Sequence, residues 1–176
     1  MVKERELRTL TVGVGDCRVS ADLDCELVTY ALGSCIAVAI YDPEARVAGL
    51  LHFMLPDSTL SHAKANRNPY IFADTGIPLL FRRAYEYGAE RRRLVIRLVG
   101  GAQVLESQAH FHIGRLNYLA VRKIFSNAGL LVHGEAVGGT ASRTIRLEVP
   151  TGRLRLRTEA STQCLSGVTR LSESST

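Results

Sequence analysis

Two apolar runs, Ile36–Tyr41 and Val47–Phe53, stand on either side of the turn residues Asp42, Pro43 and Glu44. Runs this short, bounded by a turn signal, read as buried strands, and the few residues between them leave room only for an antiparallel hairpin. A four-residue loop over Asp42–Ala45 sets Tyr41 against Arg46, and counting back along both strands then places Cys35 directly opposite His52. Opposed antiparallel residues hold their Cβ atoms roughly 4.5–5.5 Å apart on one face, which is the reach between a thiol and an imidazole base.

The remainder of the chain mixes strands with two main helices. Strands are expected at Leu10–Val14, Arg18–Ser20 and Leu27–Tyr30. A helix should start between Asp74 and Pro78 and run to Tyr87, because Ile77, Leu80, Phe81, Ala84 and Tyr85 share one face and Gly88 provides a stop. Leu94–Val99 resumes as a strand ending at Gly100 and Gly101. A second helix fits Asn117–Asn127, with Asn117 as its cap, Leu116, Leu119, Ala120, Ile124 and Ala128 as its stripe, and Gly129 at its end. Strands follow at Leu130–Val137, Thr144–Val149 and Arg153–Arg157, the last two joined as a hairpin through Pro150, Thr151 and Gly152. Tight turns between consecutive strands favour an α+β layered domain over a doubly wound parallel sheet. The expected organisation is a polar lead-in at 1–9, one domain at 10–158 and a Ser/Thr-rich tail at 159–176 that reads as disordered.

Composition narrows the setting. A 176-residue chain with 46% apolar content can bury a sizeable core, and it contains no apolar stretch long enough for membrane insertion. The charged start MVKERELRTL stands where a secretory leader would be apolar, which predicts a cytoplasmic protein. Cys17, Cys25, Cys35 and Cys164 have no CxxC spacing and are read as thiols. A net charge of +5 favours an acidic partner, but the densest basic run, Arg91–Arg93, is better explained as a solvated loop after a helix. A nucleic-acid-binding domain is suggested by charge alone, and no aromatic platform supports it.

Few residues are left to carry chemistry. Cys35 follows Gly33 and Ser34, a bend whose backbone N–H groups can point into a site and hold an oxyanion. A lone Cys at a strand edge is usually a small core residue, and a His among Leu50, Leu51, Phe53 and Met54 is usually one too. Their opposition across the hairpin favours the catalytic alternative. As a base, His52 needs a partner on its second ring nitrogen, and the Thr29 hydroxyl is the candidate, although on its own Thr29 is an ordinary strand residue. His110 and His112 lack a third metal ligand at a supporting spacing, and Val12–Gly15 is half a dinucleotide fingerprint without its helix. No metal or cofactor is expected.

The segments LGSCIAV, HFMLP, GGA at Gly100–Ala102, IGRLN at Ile113–Asn117, and the GG pair followed by Arg143 occur in an order and spacing that resemble the CheD family of bacterial chemoreceptor glutamine deamidases, over about Leu10–Arg157. The resemblance implies hydrolysis of receptor glutamines to glutamates with release of ammonia, with Cys35 as nucleophile, His52 as base and Thr29 orienting the imidazole. It further implies packed, mixed or antiparallel β-sheets flanked by helices, akin to toxin-type cysteine deamidases. The expected protein partners are chemoreceptor cytoplasmic domains and a CheC-type phosphatase. The competing role is a binding regulator of that phosphatase with vestigial catalysis, and the intact Thr29, Cys35 and His52 set argues against it as the sole role. Ala136 and Ser142 depart from the family's usual acidic residue and glycine.

Overall fold

The structure, a computed structural model, describes residues 6–103 and 112–165. Its elements run β1 (Arg8–Thr11), β2 (Asp16–Ser20), β3 (Cys25–Leu32), β4 (Ile36–Asp42), β5 (Val47–Phe53), α1 (His62–Arg67), α2 (Ala73–Glu86), β6 (Val95–Gly100), α3 (Ile113–Asn127), β7 (Gly134–Val137), β8 (Arg143–Glu148), β9 (Leu154–Arg157) and β10 (Thr162–Cys164). The strands form two five-stranded sheets, in the orders β1-β3-β8-β9-β10 and β2-β5-β4-β6-β7. All pairings are antiparallel except β1 with β3 and β6 with β7. The expected α+β architecture is the one observed.

The period-two alternation of the central hairpin sorts the layers. Along β4, Ile36, Val38 and Ile40 join the core under the helices, while Ala37, Ala39 and Tyr41 join the core between the sheets. Along β5, Leu51 and Phe53 face the helices and Ala48 and Leu50 face the opposite sheet. α2 closes the outer core with Ile77, Leu80, Phe81 and Ala84, and α3 with Val121 and Phe125. Burial of each large apolar side chain contributes about 1.5–3 kcal/mol. The small alanines of β4 let the two sheets approach, and the inner core is filled from the other side by Leu27, Leu32, Ile145 and Leu147. Among the described residues no helix is long and apolar enough to cross a membrane.

The hairpin differs from its expected register. Asp42 pairs with Val47, and the loop is Pro43–Arg46, so Ala37 rather than Cys35 lies opposite His52. The Asp42 carboxylate accepts hydrogen bonds from the Glu44 and Ala45 N–H groups at 2.9 and 3.0 Å, capping the turn from within the strand, and Arg46 takes the left-handed φ of 52° that closes it. The slip is two residues, an even number, so Cys35 stays on the face of His52 and becomes its diagonal neighbour.

Other boundaries move as well. β1 begins at Arg8, inside the expected lead-in, and β7 begins at Gly134 rather than Leu130. Thr162–Cys164, expected in the tail, pairs with β9, and Leu165 is buried beyond it with its N–H on the Leu154 carbonyl at 2.8 Å. Arg91–Arg93 forms a single 3-10 turn in which Arg93 pairs with the fully buried Asp42, with Glu44 and with Glu90.

Candidate active site

Thr29 lies in β3 of one sheet and His52 in β5 of the other, and their side chains meet between the layers. The Thr29 Oγ1 is 2.8 Å from His52 Nδ1 and donates its hydrogen to the Val12 carbonyl at 2.6 Å. A hydroxyl has one hydrogen. With that hydrogen on Val12, Thr29 can only accept from Nδ1–H, which assigns the neutral tautomer and leaves the lone pair on Nε2. Nε2 is buried and has no hydrogen-bond partner among the described residues. His52 is 1% exposed, and burial lowers its pKa to about 4, so the ring is neutral near pH 7.

Cys35 is half-buried in the bend 33–35, just before β4, and packs against the core between the sheets. The bend follows a register shift between Thr29 and Leu32, where Ala31 adopts a left-handed φ of 55°. Bulges of this kind re-aim a strand, here immediately ahead of the thiol. All three carbonyls of the bend are held. Gly33 O accepts from Ala102 N at 2.8 Å, Ser34 O from Asn117 Nδ2 at 3.0 Å, and Cys35 O from Gly101 N at 2.8 Å. The N–H groups of Gly33, Ser34 and Cys35 donate to no backbone carbonyl among the described residues. Burial raises the Cys35 pKa, partly offset by its own backbone N–H, so thiol and imidazole are both neutral at rest, and no hydrogen bond joins them in the structure.

The glycine-rich segments pack against this bend. Gly100 has φ of 119°, and a Cβ there would overlap the Cys35 carbonyl oxygen. At Gly114 a Cβ would come within 2.6 Å of Gly101 O, so only glycine lets the first turn of α3 rest on the strand end that holds the bend. Asn117, expected as the cap of α3, instead lies in its second turn, fully buried, and its Nδ2 also donates to Met54 O at 2.9 Å. Motif spacing signals Gly100, Gly114 and Asn117, but their function lies in contacts that a sequence does not display. Arg143, the last residue of the matched motifs, stands in register with Leu32, and its Nη1 is buried without a partner among the described residues.

The structure joins Thr29 to His52 by a hydrogen bond but joins neither of them to Cys35 by one. His112 Nδ1 contacts Gln103 Oε1 at 3.3 Å, and His110 lies outside the described residues. Among the described residues no group of three or more His, Cys, Asp or Glu is placed to hold a metal ion. A cavity of about 780 Å³, lined by Tyr85, Arg91, Leu94, Ile96, Leu130 and His133 among others, opens at the far end of β6 from Gly100. Ala136 is buried between Val99 and the inner core, where an acidic side chain would be desolvated.

A family model described as CheD chemotactic sensory transduction matches residues 54–158. The chain is also 55% identical over 151 residues, 86% of its length and 89% of the relative's, to a probable chemoreceptor glutamine deamidase CheD of Solibacter usitatus (strain Ellin6076). The chain belongs to the CheD family. It is 50% identical over 143 residues, 81% of this chain and 89% of the relative, to the probable chemoreceptor glutamine deamidase CheD 1 of Syntrophus aciditrophicus (strain SB). It is 45% identical over 148 residues, 84% and 93% of the two chains, to the CheD 2 protein of Anaeromyxobacter dehalogenans (strain 2CP-C), which bears the same description. The family model begins two residues after His52, whereas a 151-residue match within 176 residues necessarily crosses the segment from Thr29 to His52.

Proposed function

We propose that this protein hydrolyses glutamine side chains of chemoreceptor cytoplasmic domains to glutamates, with Cys35 as nucleophile, His52 as general base and acid, and Thr29 as the residue that orients the imidazole. The observation that carries the proposal is the Thr29–His52 hydrogen bond of 2.8 Å, whose direction leaves a basic, unpartnered Nε2 on the face of the sheet that also bears Cys35. Membership of a family whose relatives are described as chemoreceptor glutamine deamidases supplies the substrate class.

In the proposed reaction Nε2 takes the thiol proton as sulfur attacks the carboxamide carbon, forming a tetrahedral intermediate. Free N–H groups of the Gly33–Ser34–Cys35 bend hold the oxyanion. The imidazolium then gives its proton to the departing nitrogen, releasing ammonia and a thioester. Water, deprotonated by His52, hydrolyses the thioester to glutamate and restores the thiol. Because both groups start neutral, the proton transfer accompanies attack rather than preceding it. Exposed apolar side chains on the flanking backbone, Tyr30 before the bend, Met54 after β5 and Leu116 beside Asn117, suit a site that meets the side of a receptor helix.

The test is incubation with a receptor cytoplasmic fragment, following the amide-to-acid mass increase on tryptic peptides. Cys35→Ala should abolish conversion and His52→Ala should slow it by at least about 100-fold. Conversion by Cys35→Ala at the wild-type rate would remove the mechanism. Unmodified glutamines together with tight retention on a CheC-type phosphatase column would favour the regulatory role instead.

A further inference from the structure

We propose that Asn117 is a positioning residue that aims the Cys35 N–H, the donor nearest the nucleophile, at the oxyanion of the deamidation reaction; this rests on the deamidase function proposed above. In a trans peptide unit the carbonyl of one residue and the N–H of the next point in opposite directions, and the described chain contains no cis peptide bond. Ser34 O and Cys35 N–H belong to one such unit. Asn117 Nδ2 fixes Ser34 O on the α3 side, and thereby turns the Cys35 N–H away from α3. Ala102 N does the same for the preceding unit by holding Gly33 O, which directs the Ser34 N–H. The two units receive their orientation from outside the bend, one from a backbone group and the other from a side chain.

The same amide nitrogen reaches Met54 O, two residues beyond His52. Both partners are carbonyls, which can only accept, so Nδ2 and not Oδ1 must face them. Oδ1 is left buried with no partner among the described residues. One buried amide therefore ties the segment carrying the nucleophile to the segment carrying the base. Gly114, one turn earlier, seats α3 on Gly101, whose N–H holds Cys35 O, so the helix bearing the clamp is itself registered against the bend. Free of its clamp, the Ser34–Cys35 unit can rotate, and its N–H leaves the oxyanion position while the sulfur and imidazole stay in place.

This separates two readouts. Deamidation needs the oxyanion donor; alkylation of Cys35 by iodoacetamide needs only an accessible sulfur and its base. Asn117→Asp replaces the two-hydrogen donor with a group that donates to neither carbonyl when ionised and to one at most when protonated, and Asn117→Ser shortens it without burying a charge. For each folded variant, kcat on a receptor cytoplasmic fragment should fall about 100-fold with KM within about threefold of wild type. The alkylation rate at Cys35, read by peptide mass, should also stay within about threefold. Asn117→Ser is the deciding variant if Asn117→Asp does not fold. A kcat within about threefold of wild type, or an alkylation rate that falls in step with kcat, would overturn the inference. A wild-type protein that converts no glutamine would instead remove the function on which it rests, an outcome visible before any variant is measured.

Discussion

Replacing Thr29 with Val removes one oxygen and nearly preserves shape, so its cost can be worked from the contacts of that oxygen. Two hydrogen bonds disappear, from Thr29 Oγ1 to Val12 O at 2.6 Å and from His52 Nδ1–H to Thr29 Oγ1 at 2.8 Å. Val12 and His52 are each 1% exposed, so bulk water does not replace the lost partners. An orphaned buried donor and an orphaned buried acceptor each carry a penalty of about 1–3 kcal/mol, and after partial relaxation the variant should lose about 2–4 kcal/mol of stability in urea titration. The catalytic loss is separate. Nothing then prevents the proton from moving to Nε2, and a base in that tautomer cannot accept from the thiol. Turnover of a receptor fragment, measured by ammonia release, should drop about 100- to 1000-fold, whereas Thr29→Ser should retain most of it. Long-range ¹H–¹⁵N spectra of the His52 ring report the tautomer directly, with the proton on Nδ1 in wild type. A folded Thr29→Val protein whose turnover stays within about threefold of wild type would refute the orienting role.

The same geometry sets two further outcomes. His52 ionises at about 4 when folded and at about 6.5 when unfolded, so between those values the unfolded chain binds the extra proton. Its contribution to stability is fully present above pH 6.5 and is lost as pH falls towards 4, about 3 kcal/mol in all. Urea titrations across this window should show that slope in wild type and a shallower one in His52→Gln; equal slopes would contradict the burial of a neutral ring. Gly100→Ala should destabilise the fold by about 2–4 kcal/mol and also depress turnover, because the new Cβ overlaps the Cys35 carbonyl at a φ of 119°. A urea midpoint equal to wild type would refute the close approach.

Much of this is legible from residue order because alternation survives errors of register. The run Ile36–Tyr41 announces a strand buried on both faces, and the parity of Cys35 and His52 places them on one face whether the loop begins at Asp42 or at Pro43. The helical stripe Ile77, Leu80, Phe81 and Ala84 is equally visible and buried, but Tyr85, expected with it, is exposed, and on α3 the expected Leu116 and Leu119 are exposed while Val121 and Phe125 are buried. The exact pairing is not, because the Asp42 carboxylate caps the turn from inside the strand and Arg46 accepts a left-handed φ, neither of which composition announces. Asn117 reads as a cap for a related reason. A glycine at position 114 argues against an early helix start, yet the glycine is there to let the helix approach Gly101, so a packing demand overrides propensity. β10 escapes notice because Thr162, Gln163 and Cys164, set among Ser and Thr, carry no periodic signal, and the strand is followed by the buried Leu165.

Thr29 and Val12 come with one layer of the molecule and His52 with the other, so neither layer owns an oriented imidazole. Orientation of the ring is therefore a property of the docked sandwich. A nascent or partly opened chain holds the same cysteine and histidine without the contact that fixes the ring's tautomer, so under the proposed mechanism it is inert until the two layers have closed.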